Sequence, residues 1–365
     1  MSGTHHRQRE AGMVSIIVTM LLLIVISLIV LGFAQISRRN QRQTLDRQLS
    51  SQAFYAAETG VNDARNLINE ALLSGNIIPA KPDCTPGSGP AAAFYGGLNA
   101  TLDASNKVSY SCIMVDPSPT SIAYSDIGTT GTVVPLTSAT GNNFSTLTLT
   151  WQSKTGSATP IAGCPASANS VFSPTGSWSC GYGVLRFDLV PVSVSGMTAT
   201  SLQNGTLTSF LVPVAAGSLT MPFPGAPASQ NGNNLVAARC SNTDCSMTIT
   251  GLSSSRYYIR LLSLYKDVSL QISGTESAPG NPAAKIQGAQ AVIDATGKAE
   301  DVLRRIQVRL PLTATSTNMM SDYALETTDA ICKRFVATDG YFQSYASSVV
   351  PGLTSITSPQ NPLCQ

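Results

Sequence analysis

The chain has 365 residues, a formal net charge of +2 and only 12% charged residues, about half the usual share of roughly 25%. So few Lys and Arg, with 6% aromatic residues, supply neither a basic stripe nor stacking platforms, and no nucleic-acid partner is expected. Both histidines, His5 and His6, precede every segment with a folding pattern, which excludes Ser-His-Asp, Cys-His and H-E-x-x-H chemistry further along. No paired-carboxylate motif, EF-hand loop or nucleotide fingerprint is present, so no catalytic residue, cofactor or metal is expected. Catalysis by Asp and Glu alone, or by a Ser-Lys pair, is all that stays open to an enzyme.

The first element is apolar. Ala11 to Ser37 is a run of 27 residues without a charge, with its core from Met13 to Leu31. A helix of about 20 apolar residues spans a bilayer. The rival, a secretory signal, has an apolar stretch of about 7–15 residues and then a cleavage site, and this run is longer. Arg7 and Arg9 precede the span, while Arg38, Arg39, Arg42 and Arg47 follow it. By the positive-inside rule those four would hold the body in the cytoplasm. The cysteines argue the opposite. Cys84, Cys112, Cys164, Cys180, Cys240, Cys245, Cys332 and Cys364 are even in number and all follow the span. None shows the C-x-x-C spacing of a zinc or redox site, so they read as disulfides in an exported body. Near neighbours are the easiest to close, which favours Cys84–Cys112, Cys164–Cys180, Cys240–Cys245 and Cys332–Cys364.

The helical pattern continues beyond the span. Leu45, Leu49, Ala53, Ala56, Gly60, Ala64, Leu67 and Ala71 recur at steps of three and four, a stripe with a period of about 3.7 residues. That exceeds the 3.5 of a coiled-coil seam, so the stripe is expected against a globular body or neighbouring copies. Span and stripe form one predicted helix from Met13 to about Leu73, on the order of 90 Å long. Gly75, Pro79 and Pro82 end it.

The remainder reads as β-rich. Leu147, Leu149 and Trp151, then Leu185, Phe187 and Leu189, then Val268, Leu270 and Ile272, then Ile306, Val308 and Leu310 each alternate with polar residues, as half-exposed antiparallel strands do. Between Pro117 and Thr159, 18 of 43 residues are Ser or Thr, read either as strands with a hydroxyl-rich face or as a long loop. Gly297-Lys298 lacks the surroundings of a phosphate loop and is read as the turn of a hairpin between strands near Ile293 and Val308. Trp151 and Trp178 are read as packed rather than adhesive. The loop from Phe223 to Asn234 is the candidate division of the body into two β units. The fold class is α+β: a long N-terminal membrane-spanning helix extending into a β-rich, disulfide-bonded extracytoplasmic body.

Two stretches carry a resemblance. Arg7-Gln8-Arg9-Glu10-Ala11-Gly12 is a polar leader ending in Gly, followed by Met13 and the apolar helix. It resembles the class III signal of type IV pilins and pseudopilins. Asp46-Arg47-Gln48 and the run Gln52-Ala53-Phe54-Tyr55-Ala56-Ala57-Glu58-Thr59-Gly60 resemble the helix of PilX-type minor pilins. The likeness covers roughly residues 7–72. It implies a prepilin leader at 1–12, a transmembrane helix at 13–36, its extracytoplasmic continuation at 37–74 and a globular body at 75–365. It further implies cleavage by a prepilin peptidase between Gly12 and Met13, N-methylation of Met13, and partners among other pilin subunits and the inner-membrane pilus assembly machinery. The chain would be a single-pass protein of the cytoplasmic membrane, its N-terminus in the cytoplasm, reaching the cell surface once assembled.

One position departs from the family pattern. Major pilins carry a Glu five residues into the mature chain, where it is thought to pair with a neighbour's N-terminal amine; here that position is Ile17. A buried amine without its carboxylate is costly, which favours a minor, tip or assembly-priming subunit; a surface ligand or host cell is a further partner that a binding head would meet. The competing class is a membrane-anchored extracellular adhesin or hydrolase that does not polymerise.

Overall fold

The computed structural model describes residues 7–84, 90–96, 98, 101–105, 107–154, 161–168, 177–192, 205–223, 234–312, 334–338 and 341–345, with side chains in the helix described from Ser15 onward. The chain divides into two units, Met1–Asn318 and Met319–Gln365. Everything below concerns the first, except one hairpin.

Helix α1 runs without interruption over Arg7–Leu73, 67 residues or about 100 Å. It begins ahead of the expected Met13, because nothing in Arg7–Gly12 except Gly12 disfavours a helix. Residues 15 to 48 are exposed throughout. The helix holds the one apolar stretch, among the described residues, long enough to cross a membrane. Its end is a Schellman cap: Asn76 N–H donates to Ala71 O, Gly75 N–H donates to Leu72 O, and Gly75 sits at φ 68°, where glycine carries no Cβ penalty.

A short helix α2 (Pro90–Tyr95) leads into β1 (Thr101–Asp103), β2 (Val108–Asp116), β3 (Ser121–Ile127), β4 (Thr132–Ser138), β5 (Phe144–Ser153), β6 (Val184–Pro191), β7 (Leu207–Val214) and β8 (Thr220–Pro222). Then come β9 (Leu235–Cys240), β10 (Cys245–Thr250), β11 (Arg256–Leu264), β12 (Val268–Glu276), β13 (Ile286–Gln287), β14 (Gln290–Ala299) and β15 (Val302–Pro311). The second unit contains the hairpin of β16 (Arg334–Thr338) and β17 (Tyr341–Tyr345).

The strands form two sheets in the first unit. Four of them, in the order β1-β2-β14-β15, lie against α1. The other sheet runs β13-β4-β11-β6-β7-β9-β10-β5-β12-β3, with β8 paired to β10. It curls on itself. Ala283 bridges Thr275 of β12 just before β13, and Ile286 N–H donates to Pro119 O ahead of β3. Alternate residues therefore point into one enclosed core, among them Phe144, Leu147, Leu149 and Trp151 of β5 and Tyr257, Ile259 and Leu261 of β11. The hydroxyl-rich stretch resolves into strands β3, β4 and β5, and its outer face is knitted by threonine pairs. Thr148 Oγ1 lies 3.0 Å from Thr248 Oγ1 and Thr146 Oγ1 lies 2.8 Å from Thr275 Oγ1, the cross-strand contacts that stabilise a sheet face.

Three disulfides join Cys84 to Cys112, Cys164 to Cys180 and Cys240 to Cys245. Cys332 and Cys364 lie outside the described residues, as does most of the loop between β8 and β9. Strands on both sides of that loop belong to the same sheet. Trp151 is fully buried, its Nε1–H donating to Gly183 O at 3.3 Å. Trp178 is half-buried and stacks on Tyr265 with centroids 4.3 Å apart. The expected Gly297-Lys298 turn is corrected. Both residues lie within β14, and the hairpin turns at Glu300-Asp301, with Glu300 at φ 54°.

Glu276 shows how a chain so poor in charge handles a buried one. It is 2% exposed. It accepts hydrogen bonds from Thr140 Oγ1 at 2.6 Å, Asn142 Nδ2 at 3.2 Å and Ser138 Oγ at 3.2 Å. Burial works to raise its pKa, but these donors and the Lys285 backbone amide outweigh burial and hold the carboxyl below its ordinary range. A carboxylate with a depressed folded pKa contributes stability above its unfolded pKa of about 4.3 and loses it as pH falls through the folded value. Unfolding midpoints measured across pH should therefore drop in acid for the native protein. Glu276→Gln should be less stable at neutral pH and have a flatter acid limb. Parallel acid limbs for the two proteins would refute the assignment.

Candidate functional site: the helix and its sheet cradle

Among the described residues, only the distal third of α1 touches the body. Ala53, Ala56, Ala57, Gly60, Val61, Ala64, Ile68 and Ala71 are buried. The predicted stripe needs one correction. Leu45 is 57% exposed, because the sheet begins to cover the helix only at Leu49. Leu67 packs, half-buried, on a cluster that Val61 and Ile68 form with Tyr95, Tyr110, Ile113, Ile293 and Leu310. Burial at Val61 and Ile68 follows from their seven-residue spacing, two full turns apart on one face.

The small residues of the stripe bring the helix backbone onto the sheet. A Cβ on Gly297 would lie 2.0 Å from Ala53 O and 2.4 Å from Ala57 N, and one on Gly60 would lie 3.0 Å from the Tyr110 ring. Polar contacts fix the helix along its axis. Tyr110 Oη donates to Asp63 Oδ2 at 2.8 Å, and Arg304 Nε donates to Ser50 Oγ at 2.8 Å.

The chain leaving α1 is tied to the same sheet. Lys81 pairs with Val115 through both backbone groups, and its buried Nζ donates to Ile113 O and Asp83 O, each at 2.8 Å. Burial lowers the Lys81 pKa, and nearby Asp83 partly opposes this. Tyr95 Oη donates to Pro79 O at 2.8 Å, and burial raises its pKa. Cys84–Cys112 closes this segment onto β2. Two further contacts join the cradle to the larger sheet. The Gln290 side chain accepts from Ala123 N–H at 3.0 Å and donates to Ala123 O at 2.7 Å, like one more strand residue. Arg309 Nη1 donates to Ser121 O at 2.6 Å.

The residues singled out for pilin chemistry lie at the other end of the helix. Gly12 and Met13 are within α1, and Ile17 is 55% exposed on its free part. The nearest acid after Met13 is Asp46, roughly 50 Å along the axis. Among the described residues no three His, Cys, Asp or Glu side chains gather as metal ligands would. Gly297 was not identifiable as a contact residue from the sequence, since its partner lies on a distant segment; an isolated glycine within a strand pattern is the signal for close backbone approach.

Gly297→Ala should force helix and sheet apart. The obstruction is backbone, which cannot swing aside, so a loss of about 1–3 kcal/mol is expected, with faster proteolysis near Ala53. Chemical unfolding in detergent is the measurement, and an unchanged midpoint would show that the close contact is not kept.

No curated protein and no solved structure matches the chain. Residues 11–62 match the family model described as PilX N-terminal, so the apolar helix and its first turns on the sheet are similar to the N-terminal segment of PilX-type pilins.

Proposed function

We propose that the chain is a structural minor pilin-like subunit of a type IV pilus or related filament, acting in assembly priming, at the tip or in adhesion. The observation that carries this is the coincidence of the PilX N-terminal match with a single helix that is fully exposed over its apolar half and packed on a sheet over its distal part. An ordinary membrane anchor has no use for so long an uninterrupted continuation.

In this reading the N-terminus begins in the cytoplasm, and a prepilin peptidase cuts between Gly12 and Met13. Met13 is then methylated, and the body, with the three described disulfides, sits outside the cytoplasm. The disulfides support that side of the membrane. Arg38, Arg39, Arg42 and Arg47 oppose it by the positive-inside rule, and a dedicated export route overcomes them. Ile17 supports a minor role. In a nearly dry bundle a neighbour's amine needs a carboxylate at its own depth, and this helix offers none there. A rarely used or terminal subunit escapes most of that cost.

N-terminal sequencing of membrane-extracted protein should begin at methylated Met13; a start at Met1 or after Ala34 would sink the reading. Quantitative mass spectrometry of sheared filaments should find this chain far below a smaller pilin that carries the Glu. If it proved the most abundant subunit, the minor role would be wrong.

A further inference from the structure

Among the described residues strand β15 is the outer edge of the cradle and pairs only with β14. Its hairpin turns on two residues, Glu300 and Asp301, so Ala299 and Val302 close it as a hydrogen-bonded pair. Bonded and non-bonded pairs then alternate. Val302, Arg304, Ile306, Val308 and Leu310 bond to β14, while the backbone groups of Leu303, Arg305, Gln307 and Arg309 face outward. Beside this free edge lies a groove of about 370 Å³ between β15 and α1. Its floor is Val61, Ile293 and the half-buried Ile306 and Val308, and Phe54 and Arg65 stand on its helix side. Floor residues on β15 repeat every second position, the repeat of an extended strand.

Arginines on an edge ordinarily guard it against pairing. Here they guard it selectively. Arg305 is already paired with the buried Asp294, but Arg309, whose guanidinium donates to Ser121 O, and Arg65, on the groove rim, have no ion-pair partner among the described residues. Glu58 is the acid on that rim. The surroundings repel basic strands and attract acidic ones. We propose that the edge of β15 and its groove bind an extended segment of a partner protein as a fifth strand, with apolar residues at alternate positions and acidic residues between them. The apolar residues enter the groove over Ile306 and Val308, the backbone pairs with Leu303 to Arg309, and the acids meet Arg309, with Arg65 adding positive charge at the rim.

The test uses the full chain in detergent micelles and a labelled octapeptide alternating valine and glutamate. Saturable binding by fluorescence anisotropy is expected. Amide exchange should slow at Leu303, Arg305, Gln307 and Arg309, with little change at the even-numbered neighbours. Gln307→Pro removes an outward N–H and leaves the β14 ladder whole, so it should weaken binding about fivefold to tenfold. Arg65→Glu, on the exposed rim, should weaken it roughly twofold to fivefold and keeps the test decisive if the proline variant misfolds. Equal binding of a valine-lysine octapeptide, unslowed exchange at the four amides, or sedimentation showing two copies paired through β15 instead would each overturn the proposal.

Discussion

The contact on which the rest of the structure depends is the approach of the α1 backbone to β14 at Gly297. A helix of 67 residues held over only its distal third is a lever, and its orientation at the apolar end is set by its rotation and tilt on the sheet. Alanine and glycine at 53, 56, 57, 60 and 64 remove the side-chain cushion that would let the helix roll. With Gly297 opposite, backbone meets backbone, and dispersion contacts and steric exclusion act at their shortest range. Tyr110 on Asp63 and Arg304 on Ser50 then add direction to what packing alone leaves free to slide. A cradle of larger residues would bury more apolar area but would fix the helix angle less sharply.

The larger sheet supports this cradle without merging with it. Gln290 and Arg309 reach across to the backbone of β3, so the two sheets share polar contacts while keeping separate apolar cores. The disulfides follow the same division of labour. One fastens the chain leaving α1 to β2, one closes the segment that presents Trp178, and one staples the β9–β10 turn. The first ties a loop to a strand, the second joins two loop residues, and the third links the paired ends of β9 and β10 at the edge of the larger core. Closing the loop between Cys84 and Cys112, with a sequence separation of 28, restricts the unfolded chain by roughly 3–4 kcal/mol in the chain-entropy account.

Legibility in the sequence followed the range of the interactions. The apolar helix and the strands around Leu147, Leu185, Val268 and Ile306 were readable, because period 3.6 and period 2 are local patterns. The stripe on α1 was readable in kind but overextended at Leu45. A stripe records which face is apolar, not how far along it a sheet extends. The hydroxyl-rich stretch was undecidable because Ser and Thr serve strands and loops alike; its strands are settled by threonines on β5, β10 and β12, far apart in the chain. Gly297 was misread as a turn residue for the same reason. Its conformational freedom is unused; what the fold exploits is the missing Cβ.

The Asp294–Arg305 pair shows how position, rather than count, decides what a charge does in such a neutral body. Asp294 lies in β14 between Ile293 and Ala295, which face α1, and its side chain is 7% exposed, whereas that of Arg305 is 63% exposed. Arg305 Nε donates to both carboxylate oxygens, at 2.6 and 2.8 Å. The guanidinium keeps most of its water, while the carboxylate has given up nearly all of its own. The cost of the pair therefore falls on Asp294 alone, and Arg305 offsets it from solvent. Loss of Arg305 would leave a buried uncompensated charge, a far larger penalty than the loss of an exposed pair such as Lys107–Glu300. Asp294 in turn holds the arginine flat against β14, on the face away from the helix. The outer face of the cradle thus holds its buried acid under an exposed cation, while the inner-face cation, Arg304, sits on Ser50 where the sheet begins to cover α1 and leaves Ile293, Ala295 and Gly297 for the close approach.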